Sequence, residues 1–161
     1  MTLTIGIDPG LSGALAVIDT DGVIVALADL PVIRDRSLAW IDGAELQGML
    51  LDALGGRQSI AVVERVSAMP KQGVASSFAF GVGFGSILGV LQAMHIPVEL
   101  VTAAQWKRAL GLSSDKKASL HKARLLFPAA DLRLEKHDGR AEALLLARWW
   151  MTRAVSQRAA S

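Results

Sequence analysis

The chain has no cysteine among its 161 residues. This absence excludes disulfides, zinc sites built from thiolates and a cysteine nucleophile, and it is typical of proteins in a reducing compartment. The N-terminus has no basic segment ahead of its first apolar stretch, which argues against a signal peptide. We therefore expect a cytoplasmic protein, in which any bound metal ion has oxygen or nitrogen ligands.

Charged residues are missing from one long stretch, between Lys71 and Glu99. A neutral segment of this length can span a bilayer, but this one contains several polar residues, five glycines and no dense run of leucine, isoleucine and valine. The pattern favours a buried central helix from about Val74 to Met94 over a membrane span, so no membrane partner is expected.

Length and composition indicate one folded domain. At 17.0 kDa, with 52% hydrophobic and 20% charged residues, the chain is large enough for a sizeable core and too small for a second folded unit. We predict that the domain covers residues 1–155 and that residues 156–161 form a frayed tail.

The order of predicted elements is that of an α/β fold with a mixed sheet. A first strand ends at Asp8 before a Pro-Gly turn, and two antiparallel strands follow, Ala14–Ile18 and Val23–Leu27. The remaining predicted elements are a loop around Pro31–Ser37, a helix after Asp42, a buried strand over Ser59–Val63, the neutral helix, an edge strand containing Pro97, and helices that begin near Thr102, Asp115 and Asp138. Helical crossovers make the first strand and the Ser59–Val63 strand parallel neighbours.

Four acidic residues are placed where they could meet. Asp8 and Glu64 end two parallel strands at the same edge of the sheet, and Asp138 and Glu142 lie four residues apart on one helix face. Taken singly, each has a structural explanation as a turn residue, an exposed strand end or a helix cap. Together they would repel one another unless cations neutralised them, and an all-oxygen site suits Mg²⁺, with Mn²⁺ as a substitute.

Such a site needs no Ser, Cys or His nucleophile, because two divalent ions can activate a water molecule and stabilise the leaving oxygen of a phosphodiester. His137, beside Asp138, is a candidate proton acceptor or outer ligand. A surface histidine near the helix cap is the favoured interpretation.

Charge is divided unevenly along the chain. Residues 1–70 hold four arginines against nine acidic residues, a net charge of −5, whereas residues 71–161 hold thirteen lysines and arginines against six acidic residues, a net charge of +7. One segment contains a single acid, Asp115, and many basic residues: Lys107, Arg108, Lys116, Lys117, Lys122 and Arg124. A solvated helix face would explain them, but beside an acidic metal site they are also suited to bind the phosphates of a polyanion, as in a nuclease.

Several short motifs follow one another along nearly the whole chain. They are Ile5–Gly10 with Ser12 and Gly13, Val62–Glu64, the glycine-rich helix, Trp106 and Lys107, Leu110 and Gly111, Lys116 and Lys117, and His137–Leu144. In this order they resemble RuvC-type Holliday junction resolvases of bacteria and phages. The resemblance implies an RNase H-like fold with a five-stranded mixed sheet flanked by helices, a homodimer, and Mg²⁺-dependent paired cuts in four-way DNA junctions.

The resemblance also implies roles for single residues. Asp8, Glu64, Asp138 and Glu142 would be catalytic metal ligands, and Lys107 with Lys116 or Lys117 would contact the phosphate near the cut. In the family the last two acids are commonly three residues apart, which would place the third acid at position 139. Gly139 has no carboxylate, so Asp138 or His137 would be the third metal ligand. Many members also have an aromatic residue soon after the second acid, which can act as a wedge by stacking at an opened junction. This chain has Ser67, Ala68 and Met69 there. Substitute wedges would be Met69, Phe78 or Phe80, although buried packing is the favoured interpretation of these residues.

Other functions stay open at this point. The same site would serve an RNase H-like nuclease acting on RNA precursors or other branched DNA, and a junction-binding protein without catalysis is a further alternative. A nucleotide-binding ATPase could share the Asp8 loop, but such proteins need two lobes. A two-fold dimer suits paired cuts, and the regularly spaced Gly81, Gly85 and Gly89 would allow a close approach across the dimer or onto the sheet.

Overall fold

The computed structural model describes residues 2–36, 38–66 and 73–159, with side chains through Arg153. The strands of this part of the chain are β1 (Leu3–Asp8), β2 (Ala14–Ile18), β3 (Ile24–Asp29), β4 (Val32–Asp35), β5 (Leu38–Ile41), β6 (Ser59–Glu64) and β7 (Val98–Val101). The helices are α1 (Gly43–Leu54), α2 (Val74–Ala93), α3 (Ala103–Ala109), α4 (Lys116–Leu126) and α5 (Asp138–Ala159), and a 3-10 turn over Glu135–His137 precedes α5.

Five strands form the central sheet in the order β3-β2-β1-β6-β7. β1, β2 and β3 are antiparallel, whereas β1, β6 and β7 are parallel. The turn between β2 and β3 is closed by Asp19, whose Oδ1 accepts hydrogen bonds of 2.9 Å from the backbone N–H groups of Asp21 and Val23. The predicted five-stranded mixed sheet and its parallel β1–β6 pair are confirmed.

A second, two-stranded sheet corrects one prediction. The segment assigned to a loop around Pro31–Ser37 contains β4, which pairs antiparallel with β5. Pro31 and the charged residues that follow favoured a loop, but Val32 and Ile33 favour extended backbone. The hairpin packs against α2 at one side of the domain.

Helices cover both faces of the central sheet and create two hydrophobic cores. On one face α1 and α2 contribute Leu46 and Ile87 to a core shared with β1. On the other face α3, α4 and α5 form a core that includes Trp106 and Leu120. The site described below lies where the three helices of the second face meet the carboxyl ends of β1 and β6.

Helix α2 lies where the sequence predicts it, but the prediction that it is buried is wrong for the single chain. Its buried residues are Gly83, Ile87 and Leu91, whereas Val74 and Phe78 are 88% and 72% exposed. Strand β5, helix α1 and strand β7 cover one narrow face of the helix, and the apolar side chains of α2 extend all round it. Within the described residues α2 is the one helix that could cross a membrane, by length and composition alone.

The ends of several elements follow local sequence signals. Thr102 and Gln105 form a complete capping box at the start of α3, and Asp115 caps α4. β7 lies at the edge of the sheet and begins just after Pro97, which has no N–H to donate. α5 continues to Ala159, and the predicted domain boundary at residue 155 stays a prediction.

Candidate active site

The carboxyl edge of the central sheet carries Asp8 and Glu64. Ile7 of β1 pairs with Val63 of β6 in parallel register, so the two acids leave the sheet side by side. Both residues are partly buried. The predicted position of these acids at one edge is confirmed.

A tight turn after β1 holds Asp8 at the strand end. The N–H of Gly13 donates to the carbonyl oxygen of Gly10 at 3.1 Å, and the chain then returns as β2 with Ala14 paired to Asp8. A side chain at Gly13 would overlap the carbonyl oxygen of Asp8. The turn therefore requires glycine at this position.

Helix α5 brings Asp138 and Glu142 to the same edge. Its first turn is tied to the end of β3 by Arg140, whose Nε and Nη2 donate to the two carboxylate oxygens of Asp29 at 2.6 and 3.0 Å. A bidentate pair of this kind fixes orientation as well as position. The two acids of α5 are one helical turn apart, so they project on the same side of the helix.

Two lysines pair with the acids of α5. The Lys107 Nζ lies 2.6 Å from Oε1 of Glu142, and both side chains are largely buried, at 13% and 7% exposure. The Lys116 Nζ lies 2.5 Å from Oδ2 of Asp138 and is more exposed. Ser119 adds a hydrogen bond from its Oγ to Oε1 of Glu142 at 3.2 Å. Lysine ammonium groups thus supply part of the positive charge that these acids need.

The remaining acids are not balanced by these lysines. Burial raises the pKa of Asp8 to about 7, and the charges of Glu142 and Glu64 add to the shift. Burial also raises the pKa of Glu64, against the hydrogen bond from Trp106, which lowers it. This edge of the sheet therefore favours binding of a proton or of further positive charge.

The four acids do not form a ready-made cage. Within the residues that the structure describes, no three histidine, aspartate or glutamate side chains are grouped closely enough to hold one metal ion. The pairings explain this, because Lys107 and Lys116 hold the acids of α5 and the Trp106 N–H occupies an oxygen of Glu64 at 2.9 Å. Four carboxylates nevertheless have the chemistry that hard divalent cations prefer.

The chain superposes along nearly its whole length on solved structures. Thermus thermophilus RuvC in complex with a Holliday junction substrate matches with a TM-score of 0.68 and 18% identity, over 97% of this chain and 95% of that chain. The chain has the fold of RuvC. A second Thermus thermophilus RuvC structure matches with a TM-score of 0.58 and 19% identity, over 98% and 96% of the two chains. The predicted RNase H-like α/β fold is confirmed.

Sequence comparison gives a shorter match. The chloroplastic Holliday junction resolvase MOC1 of Chlamydomonas reinhardtii is 40% identical over 91 residues, which are 54% of this chain and 10% of that protein. The chain therefore spans about a tenth of the length of this curated relative, and no family model matches it. The resemblance to RuvC-type resolvases is supported by the fold and by this relative. A bacterial or phage origin and a cytoplasmic location stay predictions.

Local packing at Gly139 is consistent with the spacing of four between the last two acids. A Cβ built on Gly139, at the three-apart position, would lie 2.8 Å from the carbonyl oxygen of Ser12 and 3.3 Å from Oδ2 of Asp8. A side chain does not fit there. Asp138, one residue earlier, is ion-paired with Lys116 at the site.

His137 is buried, at 5% exposure, so its interpretation as a surface residue is wrong. The 3-10 turn ahead of α5 carries the ring into the protein. The Nδ1 atom lies 4.0 Å from Oδ1 of Asp131 and has no hydrogen-bond partner among the described residues. The ring therefore faces Asp131.

The other predicted DNA-binding residues differ in exposure and in their contacts. The Lys117 Nζ lies 3.9 Å from Oε1 of Glu135, and both side chains are exposed. Arg108 is exposed and Lys122 is partly exposed. Arg124 differs, because its Nε and Nη2 donate to two backbone carbonyls of the loop that follows α4, at 2.8 and 3.0 Å. Because these hydrogen bonds hold the guanidinium group against the loop, they do not favour the predicted contact of Arg124 with DNA.

Two residues that contact the acids were missed from the sequence. Ser119, bonded to Glu142, lies three residues after Lys116 and thus on the same helix face, a spacing that could have indicated it. Trp106, bonded to Glu64, was recognised only as part of a motif. No spacing pointed to this contact, because the partners are 42 positions apart.

The candidate wedge residues have different environments. Phe78 is 72% exposed, so its interpretation as a buried residue is wrong. Phe80 is partly buried, with its Cε2 3.8 Å from a Cβ built on Gly10 in the loop after β1. Met69, like the two residues before it, lies outside the described residues.

Proposed function

We propose that this chain is a Holliday junction resolving endonuclease, which makes paired metal-dependent cuts in four-way DNA junctions during recombination, repair or phage DNA processing. The observation that carries this proposal is the meeting of four carboxylates and two lysine ammonium groups at one sheet edge. The RuvC fold and the name of the curated relative support it.

Mg²⁺, which Mn²⁺ can replace, is the cofactor we propose. Asp8, Glu64, Asp138 and Glu142 would hold it, because burial and mutual repulsion raise the pKa of Asp8 to about 7 and a divalent cation relieves that repulsion. Ions bound there would supply the chemistry that activates a water molecule and stabilises the leaving oxygen of a phosphodiester.

Lys107 and Lys116 would contact the phosphate beside the cut. Both ammonium groups already lie within 2.6 Å of the acids, so a phosphate at this edge is within their reach. Lys117 is directed to an exposed glutamate instead, which favours Lys116 of the two alternatives. Arg108, Lys117 and Lys122 would hold backbone phosphates further from the cut.

A homodimer built on α2 completes the proposed function. The helix has no charged residue, its side chains Val74 and Phe78 are exposed, and Gly81, Gly85 and Gly89 face open space among the described residues. A second copy of the chain would bury this surface, and glycines let two helix backbones approach closely. A two-fold axis would also place two sites on the symmetric strands of a junction.

The direct test is incubation of the purified protein with labelled four-way junctions and with linear duplexes of the same sequence, in Mg²⁺, Mn²⁺ or EDTA. We expect paired cuts in junctions only, and none in EDTA. Asp8→Asn and Glu64→Gln should still bind junctions but cut about 100-fold more slowly or worse. Asp52→Asn, which changes an exposed acid on α1 away from these contacts, should cut like the unmodified chain.

The alternative functions predict different results in the same assay. Equal cutting of linear duplex, or cutting of folded RNA precursors, would replace the junction claim with a broader RNase H-like nuclease. Tight junction binding without cutting in either metal would favour a binding protein without catalysis.

A further inference from the structure

Trp106 connects two of the acids at the candidate active site. Its side chain is fully buried in the core formed by α3, α4 and α5. The indole N–H donates to Oε2 of Glu64 at 2.9 Å. An indole N–H can only donate, and burying it without an acceptor is costly, so packing of this ring and placement of the Glu64 carboxylate depend on each other.

The ring of Trp106 also lies beside the second acid. The Lys107 Nζ is 5.1 Å from the ring centroid, a cation–π distance, and the same ammonium is paired with Glu142 at 2.6 Å. One buried side chain therefore contacts the acid of β6 directly and the acid of α5 through a lysine. The chain between Trp106 and Lys107 is a single peptide step on α3, so these contacts move together.

We propose that Trp106 is a positioning residue, which fixes the Glu64 carboxylate for cation binding by holding Oε2 and leaving Oε1 for the ion. The proposal rests on the proposed function, since it assigns a cation to this edge. A carboxylate offers about four lone-pair sites, and one N–H donor occupies one of them. Ligating carboxylates generally need such outer partners, whose loss typically weakens metal affinity 10- to 100-fold.

The test measures metal binding directly, without DNA, by Mn²⁺ titration followed by electron paramagnetic resonance. Trp106→Phe should weaken Mn²⁺ binding about tenfold or more. Trp149→Phe is the matched control, because Trp149 is buried in the same core and has an arginine over its ring. That variant should lose packing in the same way and bind Mn²⁺ within about twofold of the unmodified chain.

A second variant separates the hydrogen bond from packing. Replacing Trp106 by benzothienylalanine keeps the shape of the ring and exchanges the N–H for sulfur, so it serves even if Trp106→Phe fails to fold. We expect the same loss of Mn²⁺ affinity as in Trp106→Phe. Unchanged affinity in this variant would overturn the positioning role while leaving the proposed function standing. Absence of Mn²⁺ binding in the unmodified chain would overturn both.

Discussion

Asp8 lies at the end of a strand whose apolar residues are fully buried, and three other carboxylates lie close enough to raise its pKa. A carboxyl group in such a place is stable when protonated or bound to a cation, and costly when ionised alone. The metal-free chain therefore has a local electrostatic conflict, which should be visible in the pH dependence of its stability.

In EDTA, the free energy of unfolding should fall as the pH rises from about 4 to about 7. The pKa of Asp8 is 3.8 in its ordinary state and about 7 in the folded chain, so in this range the folded state keeps a proton that the unfolded state has lost. Rising pH removes that advantage. Urea denaturation of the unmodified chain and of Asp8→Asn measures the effect, and the variant should show the smaller slope.

Glu64 has a raised pKa as well, so part of the slope should persist in Asp8→Asn. Asp52→Asn, an exposed acid on α1, is the control and should keep the full slope. Equal slopes in the unmodified chain and Asp8→Asn would contradict the raised pKa.

Single residues of the site differed in how well the sequence predicts them. Asp8 and Glu64 could be predicted because each interrupts an apolar strand at its end, and strand ends meet where the sheet order requires. The contact of Trp106 with Glu64 could not, because it depends on how a buried ring packs between α3 and β6. His137 was placed wrongly for the same reason, since a short turn decides which way the ring faces.

At the scale of elements, the site depends on how closely α5 crosses β1. A Cβ built on Gly6 would overlap the backbone carbonyl oxygen of Ala143 and lie 2.8 Å from the backbone nitrogen of Ala147. Both neighbours are helix backbone, so they cannot move away without shifting α5. That shift would carry Asp138 and Glu142 away from the acids of the sheet.

Gly6→Ala should therefore destabilise the chain by about 3 kcal/mol or more, at the upper end of overpacking effects. Gly48→Ala is the matched control, because Gly48 lies within α1 and nothing in the described structure is within 4 Å of its Cβ position. It should stabilise the chain by about 0.5–1 kcal/mol through helix propensity. Urea denaturation measures both, and a loss below about 1 kcal/mol in Gly6→Ala would show that α5 can adjust.

Elements with strong local signals were predicted well, and those set by tertiary packing were not. The capping box at Thr102 and the Asp-Gly turn between β2 and β3 are local, and the structure has both. The β4–β5 hairpin was missed because Pro31 and the nearby charged residues indicated a loop, although the apolar residues of the segment favour a strand. Burial of α2 was predicted from composition alone, which does not show how many faces a neighbour covers.

At the scale of the whole molecule, one arrangement would account for both the exposed apolar surface of α2 and the two cuts of the proposed function. A single chain has one group of four acids, and a four-way junction offers two equivalent strands. A dimer through α2 would cover the apolar face and provide two groups of acids. None of the four acids lies on α2, so the proposed interface and the acids can be altered by separate substitutions.

Gly85→Glu should convert a dimer into a monomer without unfolding the chain. No atom of the described residues lies within 4 Å of a Cβ built on Gly85. The glutamate would therefore be exposed to solvent in the single chain and would contact the facing helix in the dimer. Gly48→Glu places the same side chain on an exposed helix outside the interface and should stay dimeric. Sedimentation velocity measures the mass, and circular dichroism checks the fold of each variant.

The same pair of variants links assembly to cutting. Each group of four acids lies within one chain, so monomeric Gly85→Glu should still nick junctions with Mg²⁺. Its two nicks should occur independently of each other, whereas Gly48→Glu should make paired cuts. Plasmid-borne junctions distinguish the two, since paired cuts give a linear product and single nicks give an open circle.

A Gly85→Glu chain that remains dimeric, or an unmodified chain that is monomeric on the junction, would exclude α2 as the interface. Partition of the unmodified chain into lipid vesicles would instead assign the apolar face of α2 to a membrane.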